Sequence, residues 1–280
     1  MIQEHEYFKI GFLKTLWLIR EYLSEVVIGG GWVPLIYYHY LLGSKSKYPI
    51  LTKDIDIIVK EKIPVIGSKT LDELLTDAGL KTIFKSLDPT LPVVHYEGAI
   101  DNYETEIEFL TNLKGLGDKD VIEVQKGLHA KALRFISILT ENVMEITIDD
   151  FSLIDQSRVL NIRVPSPAAF LFHKGVTFVR RNESKKKEKD LYYMFDVLVN
   201  CSELEGEIDE GLKILKSNYS SWFKSFIKNL IGYFADDTSD GIKFVHSQKP
   251  KGDFPEMNDE QFKLYVFNIF NSFIRKIKSY

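Results

Sequence analysis

The sequence has little of what secreted, membrane-spanning or disulfide-bonded proteins use. It contains a single cysteine, Cys201, which excludes an internal disulfide and a cysteine-ligated metal cluster and is typical of a reducing compartment. Charged residues interrupt its apolar runs before they reach the roughly 20 residues that span a bilayer. Its start, with Glu4, His5 and Glu6, lacks the positive segment of a secretory leader. We therefore expect a cytoplasmic protein without a membrane segment.

An excess of basic residues is also missing. The 280 residues include 36 lysines and arginines against 40 aspartates and glutamates, a formal net charge of −4, so any contact with nucleic acid must come from a local patch. One such patch is either a solvated helix face or a contact for nucleotide phosphates or RNA. It comprises Arg180, Arg181, Lys185, Lys186, Lys187 and Lys189.

The first part of the chain predicts a mixed or antiparallel sheet with a few helices. Hydrophobic residues at helical spacing predict an amphipathic helix from Phe8 to Leu23, a buried helix from Trp32 to Leu42 and a third helix from Leu71 to Ala78. Short apolar or alternating runs predict strands. These runs are Val26 to Ile28, Leu51 to Val59, Pro92 to Tyr96, Tyr103 to Leu110, Val121 to Val124, Ala132 to Ile138 and Val143 to Ile148.

From Ser166 onward the pattern becomes helical. Ser166 before Pro167 is a suitable helix start, and Asn258 begins an Asn-Asp-Glu-Gln start. Asp236 to Phe254 is polar, and we expect a surface loop there. The boundary lies between about residues 150 and 165, and we divide the chain into domains 1–160 and 161–280. The predicted helices are Pro167 to Arg181, Lys186 to Val199, one between Glu205 and Leu215, Ser221 to Phe234, and Asp259 to Lys278.

Two aspartates on one predicted strand are the first candidate for chemistry. In Thr52-Lys53-Asp54-Ile55-Asp56-Ile57, alternation directs Asp54 and Asp56 to one face of the strand and the isoleucines to the other. Phosphoryl and nucleotidyl transfer commonly use two divalent ions about 3.5 to 4 Å apart. Carboxylate oxygens suit Mg²⁺, with Mn²⁺ as a substitute.

A third carboxylate is expected from the strand that contains Glu104, Glu106 and Glu108. The three glutamates share one strand face and are poor core material, so they form either a solvent face or part of a metal site. We favour Glu108 over Glu106 because Ile107 and Phe109 flank it and place it more deeply. The six histidines show no metal-ligand spacing and are interpreted as structural.

A glycine turn precedes the aspartates by a helix-length interval. The strand Val26 to Ile28 runs into Gly29, Gly30 and Gly31. Backbone amides at Gly30 and Gly31 can approach a phosphate closely, and the following helix start favours the same anion. The turn fits neither a Walker loop nor the dinucleotide-binding fingerprint, in which Pro34 would occupy the third glycine position.

Gly30-Gly31-Trp32, a helix and then Asp54-Ile55-Asp56 resemble the signature of the DNA polymerase β-like nucleotidyltransferase superfamily, particularly its small bacterial antibiotic-modifying and abortive-infection toxin-like members. The resemblance implies an α+β protein, in which a polymerase β-like domain with a mixed sheet precedes a helical C-terminal domain. It extends more weakly to Phe172-His173-Lys174 and to Lys189-Asp190. It implies metal ligands at Asp54, Asp56 and Glu108, a phosphate turn at Gly30 and Gly31, and nucleotide contacts at Lys174 and Lys189.

The implied reaction is the metal-dependent transfer of a nucleoside monophosphate from a nucleoside triphosphate to an acceptor hydroxyl or phosphate, with release of pyrophosphate. The acceptor is open among a small molecule such as an antibiotic, a tRNA end and a protein, as are the base and the oligomeric state. One alternative is a non-catalytic nucleotide-binding sensor or toxin–antitoxin partner. Another is a metal-dependent nuclease, which has less use for the glycine turn.

Overall fold

The computed structural model describes residues 2–45, 48–50, 52–84, 94–113 and 121–280. The chain separates into two compact units, Met1–Pro165 and Ser166–Tyr280. The division falls slightly later than the predicted 160/161 boundary, because the strand Leu160–Pro165 pairs with Val143–Ile148 inside the first unit.

The first unit combines strands with short helices. A π-helical turn, Tyr37–Leu41, continues the second helix, and 3₁₀ turns lie at Arg20–Tyr22 and Asp150–Ile154. The helices are α1 (Ile2–Leu18), α2 (Trp32–Ile36), α3 (Leu71–Asp77) and α4 (Ile136–Glu141). The strands are β1 (Val26–Ile28), β2 (Asp54–Val59), β3 (Lys81–Phe84), β4 (Val94–Ile100), β5 (Tyr103–Asn112), β6 (Val121–Gln125), β7 (Leu128–Leu133), β8 (Val143–Ile148) and β9 (Leu160–Pro165).

Strands β1 to β7 form one mixed sheet, which confirms that part of the predicted architecture. Strand β2 pairs antiparallel with β1 on one side and parallel with β5 on the other. The other edge of β5 pairs first with β4, antiparallel, and then with β7, parallel. Strand β5 is therefore shared by three neighbours. Strands β8 and β9 form a separate antiparallel pair.

The two faces of the sheet have different covers. On one face Ile57 and Phe109 are fully buried, and Gly11 of α1 lies against Thr105 of the same face. On the other face, Ile58 and Leu110 pack with Val27 of β1 and with α4. This cluster covers the end of the second face where β5 meets β7, and the carboxylates described below occupy the same face further toward the start of β2 and β5.

Two strand predictions in the first unit need correction. Ala132 to Ile138 was predicted as one strand, but β7 ends at Leu133 and Ile136 begins α4. The chain turns between them at Phe135, whose φ is +71°, and Ile136 and Leu139 become buried against the sheet. The short strands β3 and β9 were not predicted. β3 has only four residues, whereas β9 does alternate between apolar and polar residues from Leu160 to Val164, so its pattern was present and was missed.

The second unit is helical, as predicted. Ser166 Oγ accepts a hydrogen bond from Ala169 N at 3.2 Å, and Asn258 forms a capping box with Gln261. Both predicted helix starts are thereby confirmed. The helices are α5 (Pro167–Thr177), continued by a 3₁₀ turn, α6 (Ser184–Asn200), α7 (Glu205–Asn218), α8 (Ser220–Tyr233), α9 (Asp240–Ser247) and α10 (Asp259–Ser279).

The predicted surface loop from Asp236 to Phe254 is wrong in its middle, where α9 forms. Ile242 and Val245 of this helix are fully buried, and their spacing of three residues supports one apolar stripe within an otherwise polar segment. In the part of the chain that the structure describes, no helix has both the length and the apolar character needed to cross a membrane.

Candidate active site

Asp54 and Asp56 lie on one face of β2, at its start. Ile55 and Ile57, which alternate with them, are 1% and 0% exposed, whereas Asp54 is exposed and Asp56 is half-buried. The hydrophobic residues fix the orientation of the strand, because a shift by one residue would bury both carboxylates. The core therefore presents the aspartate pair on the opposite face.

Strand β5 places a glutamate beside each aspartate. In the parallel register, Asp54 lies opposite Glu106 and Asp56 lies opposite Glu108. Neighbouring strands are about 4.7 to 4.9 Å apart, and paired residues share a face, so four carboxylates form two adjacent rows. Glu104 lies on the same face one step earlier along β5.

The two candidate glutamates differ in their partners and not in their burial. Their side chains are 30% exposed at Glu106 and 28% exposed at Glu108, so the expected deeper placement of Glu108 does not separate them. His95 Nε2 of β4 lies 3.5 Å from Glu106 Oε1, and Lys131 Nζ of β7 lies 3.5 Å from Glu108 Oε1. Each glutamate thus has its own nitrogen-bearing neighbour.

His95 is the more enclosed of these two neighbours. The residue is 2% exposed and lies opposite Glu108 in the β4–β5 register. Its Nε2 also lies 3.4 Å from Glu97 Oε2, and its Nδ1 has no hydrogen-bond partner among the described residues. The imidazole is therefore buried on the carboxylate face of the sheet, beside the glutamates.

Sequence reasoning did not single out His95 or Lys131 for this site. The alternation of buried and partly exposed residues in Leu128–Leu133 places His129 and Lys131 on one face of β7, and that signal was present in the sequence. What the sequence did not provide was the pairing of β7 with the end of β5, which brings Lys131 to Glu108.

The glycine turn lies directly against Asp56. Gly29 N donates a hydrogen bond to Asp56 O at 2.8 Å, and Gly30 has a φ of +65°. A Cβ atom built on Gly30 would lie 2.7 Å from Asp56 Cγ and closer still to Oδ2. Gly30 thus has two local reasons to be glycine, the left-handed backbone and the contact with this carboxylate.

Gly31 occupies the position just before α2. It also lines a small surface pocket together with Trp32 of α2 and Thr52, which precedes β2. Trp32 is 3% exposed and stacks on Phe12 with ring centroids 4.3 Å apart. The structure therefore places the glycine turn, the start of α2 and the chain entering β2 close together.

These carboxylates suit a divalent metal by donor type and by register. Hard oxygen ligands on adjacent strands are suited to Mg²⁺ or Mn²⁺. Across residues 2–45, 48–50, 52–84, 94–113 and 121–280, however, no group of three or more histidine, cysteine, aspartate or glutamate side chains is arranged to hold a metal ion. Glu106 contacts His95 and Glu108 contacts Lys131, so metal binding would require these side chains to rotate toward the aspartates.

Lys174 lies in the second unit, in a buried ion pair. It is 7% exposed, and its Nζ donates to Asp190 Oδ1, while Arg181 Nε donates to Asp190 Oδ2 at 2.8 Å. Burial raises the pKa of Asp190, but the charges of Lys174 and Arg181 outweigh burial and lower it. Lys174, which the sequence predicts as a nucleotide contact, is thus already paired with a carboxylate of the protein.

Lys189 lies close to the ring of Tyr193, which also lies close to Lys174. Its Nζ is 5.7 Å from the centroid of the Tyr193 ring, and Lys174 Nζ is 5.4 Å from that centroid. The nearby His173 has its pKa lowered to about 3, chiefly by burial and then by the charge of Lys174. The imidazole is therefore neutral at physiological pH, which avoids adding a further cation to this region.

A family model described as Nucleotidyltransferase matches residues 16–206. The match spans more than half of the chain and contains the glycine turn, β2, β5, Lys174 and Asp190. The chain belongs to this nucleotidyltransferase family. Neither a curated protein nor a solved structure matches the chain.

The nucleotidyltransferase match also locates the family-specific part of the molecule. It begins within α1 and ends at the start of α7, so the two aspartates of β2, the paired glutamates of β5, His95 and Lys131 all lie inside it. Helices α8, α9 and α10 lie beyond it. The family assignment makes the protein a transferase that acts on a nucleotide.

Proposed function

We propose that this nucleotidyltransferase has a polymerase β-like catalytic domain, and that it transfers a nucleoside monophosphate from a nucleoside triphosphate to an acceptor. The observation that carries the proposal is the parallel register of β2 and β5. It sets Asp54 and Asp56 beside Glu106 and Glu108 on one face, with Gly30 against Asp56.

In the proposed reaction, an oxygen of the acceptor attacks the α-phosphorus of the triphosphate. A new bond forms between this oxygen and the α-phosphorus, and the bond from the α-phosphorus to the bridging oxygen breaks. The electron pair leaves with pyrophosphate, and the proton of an acceptor hydroxyl passes to solvent. The acceptor class stays open among a small molecule, a tRNA end and a protein.

Asp54, Asp56 and Glu108 would hold Mg²⁺ or Mn²⁺ in this proposal. When bound, divalent ions at such a site activate the attacking oxygen and neutralise charge on the leaving phosphate. The role of β2 and β5 is to hold the three carboxylates on one rigid face, so that little reorganisation is needed when the substrate arrives. Glu108 is preferred to Glu106 because its register partner is Asp56, the aspartate in contact with the glycine turn.

The glycine turn would bind the triphosphate. The left-handed Gly30 and the following Gly31 allow backbone amides to approach phosphate oxygens without a side chain between them. Lys174 and Lys189 of the second unit are proposed as further nucleotide contacts, with Asp190 holding the Lys174 ammonium in place. ATP is the first triphosphate to test.

The decisive experiment compares Asp56→Asn with the unchanged protein. The purified proteins are incubated with α-labelled nucleoside triphosphates, Mg²⁺ and a cell extract, and both acceptor labelling and pyrophosphate release are measured. We expect Asp56→Asn to retain its circular dichroism spectrum and to lose transfer by at least about a hundredfold, the scale seen when a group that stabilises developing charge is removed.

Asp101→Asn is the matched control for this experiment. Asp101 lies in the β4–β5 turn of the same unit, and its side chain is 74% exposed, so the same chemical change there should leave transfer intact. Substantial turnover by Asp56→Asn would contradict the assigned role of this carboxylate.

A non-catalytic nucleotide sensor is the second candidate, including one that acts within a toxin–antitoxin pair. It is favoured by one observation, since no group of three or more histidine, cysteine, aspartate or glutamate side chains in the described ranges is arranged to hold a metal ion. Calorimetric titration with ATP and Mg²⁺, run beside the pyrophosphate assay, separates the two functions. Binding without release across a broad acceptor panel supports the sensor.

A further inference from the structure

One lysine contacts the carboxylate face of the sheet. Lys131 lies on β7 in register with Leu110 of β5, and therefore on the same face as Glu108, which is two residues earlier on β5. Its Nζ lies 3.5 Å from Glu108 Oε1, and its side chain is 36% exposed. The ammonium thus occupies the neighbourhood that a metal cation bound by Glu108 would need.

Lys81 provides a contrast on the same face. It pairs in register with Glu97 at the far edge of the sheet and is exposed to solvent. Strands β4 and β5 lie between Lys81 and the aspartates of β2. Lys81 carries the same charge as Lys131, but two strands separate it from β2, whereas β5 alone separates Lys131 from β2.

We infer that Lys131 is the resident counter-ion of Glu108, a positioning residue that holds this carboxylate while no divalent cation is bound and releases it when one enters. The inference rests on the proposed function, since it assumes that Glu108 is a metal ligand. It assigns Lys131 a role in setting how readily the enzyme is loaded with metal.

The physical basis is competition between two cations for one carboxylate. Four carboxylates in two adjacent rows repel one another in the absence of a cation, and an ammonium at 3.5 Å from Glu108 relieves part of that repulsion. Lys131 would yield Glu108 to a divalent ion, because such an ion would carry twice the charge of the ammonium and would bind the carboxylate oxygen directly. Lys131 can leave because its long side chain is partly exposed and flexible.

The two glutamates therefore differ in how freely their neighbours can move away, since Glu106 contacts His95 and Glu108 contacts Lys131. The imidazole that contacts Glu106 is on a residue 2% exposed, and it has no comparable freedom to leave. Glu106 stays beside β4, whereas Glu108 becomes available to Asp56. This difference in partners, and not a difference in burial, distinguishes the third ligand from its neighbour.

The test measures Mn²⁺ binding to the full chain by titration calorimetry and by electron paramagnetic resonance. We expect Lys131→Met to bind Mn²⁺ about fivefold more tightly, the size expected from removing one competing unit charge about 4 Å away in a water-like dielectric. Lys131→Arg should keep the original affinity. Lys81→Met, the matched control, should change it less than about twofold because of its distance and the screening by salt.

A second readout separates the counter-ion role from a merely structural one. Without metal, Lys131→Met should melt at a lower temperature, and saturating Mn²⁺ should restore more stability to it than to the unchanged protein. In the Glu108→Gln background, the effect of Lys131→Met on Mn²⁺ affinity should disappear, whereas in the Glu106→Gln background it should persist.

Three outcomes would overturn the inference. Equal effects of Lys131→Met and Lys81→Met would show only general electrostatics, and a lower melting temperature with unchanged Mn²⁺ affinity would show only a structural lysine. The same result in the Glu108→Gln and Glu106→Gln backgrounds would remove the assignment to Glu108. If Mn²⁺ does not bind, or if Asp56→Asn leaves its affinity unchanged, the proposed metal site itself fails.

Discussion

The two units hold their acidic groups in opposite ways. In the second unit, the Asp190 side chain is 5% exposed and accepts hydrogen bonds from both Lys174 and Arg181. In the first unit, Glu108 is 28% exposed and has an ammonium at 3.5 Å, which is too long for a strong hydrogen bond. Asp190 is saturated by protein partners, whereas Glu108 has oxygen capacity left for a ligand.

This difference indicates that acidic side chains have two different roles in this chain, stability in one unit and cation binding in the other. A buried carboxylate needs its cations for stability, because an unpaired charge in the interior is costly. Half-exposed carboxylates of like sign on one strand face contribute little to stability and gain most when a cation binds.

The largest effect is expected for Asp190→Asn. The change keeps the shape of the side chain but removes the charge that pairs with buried Lys174, and breaking a buried pair in this way costs about 3 to 5 kcal/mol. Urea unfolding followed by circular dichroism measures the loss. Asp54→Asn is the control, and because Asp54 is exposed among like charges we expect no loss there; equal losses would erase the contrast between the units.

A somewhat smaller effect is expected for Gly30→Ala. The left-handed backbone at a non-glycine residue and the collision with the Asp56 carboxylate together should lower the free energy of unfolding by about 2 to 4 kcal/mol. Transfer should fall as well, because Asp56 has to move.

Gly43→Ala measures the cost of the left-handed backbone alone, without a steric collision. Gly43 has a φ of +69°, and no heavy atom of the described residues lies within 4 Å of a Cβ built there, so it adds strain without contact. A loss for Gly43→Ala as large as that for Gly30→Ala would mean that the contact with Asp56 has no energetic weight.

The smallest effect concerns Asp150, a partly buried carboxylate of the first unit. Burial raises its pKa, but hydrogen bonds from Lys45 and Lys9 outweigh burial and lower the pKa to about 2. A carboxylate with a lowered pKa stabilises the folded state above its unfolded value near 3.9. This contribution, about 2.6 kcal/mol at most, is lost as the pH falls from about 4 through 2.

Unfolding measured from pH 5 to pH 2 tests this assignment. Asp150→Asn should flatten the decline in stability across that range. Asp149→Asn should not, since Asp149 shares Lys45 but its side chain is 56% exposed. An unchanged slope in Asp150→Asn would place the acid sensitivity elsewhere.

Local sequence patterns predicted much of the candidate site in the first unit. The alternation of Asp54 and Asp56 with buried isoleucines is a property of one strand, and period-two side chains reveal it without a partner. The left-handed glycine before α2 is likewise visible as a run of glycines. The β2–β5 register is different, because it depends on which distant strand becomes the neighbour, and no local pattern specifies that.

The same limit explains the incorrect predictions. Ile136 and Ile138 are apolar and β-branched, so local propensity favours a strand, yet this segment forms a helix in which Ile136 and Leu139 pack against Ile58 and Leu110. In α9 two buried residues outweigh a polar composition that resembles a loop. The contacts of Lys174 with Asp190 join two helices, and spacing along the chain does not reveal whether such a lysine is paired or available.

Strand β5 cannot separate from the sheet without breaking its ladders to β2, β4 and β7. Backbone amides in such a strand open only with large parts of the sheet and exchange their hydrogens with solvent slowly. The candidate glutamates are therefore attached to some of the least yielding backbone in the first unit. Any adjustment during a catalytic cycle is left to side-chain torsions, which leaves the underlying strand as a fixed reference for each turnover.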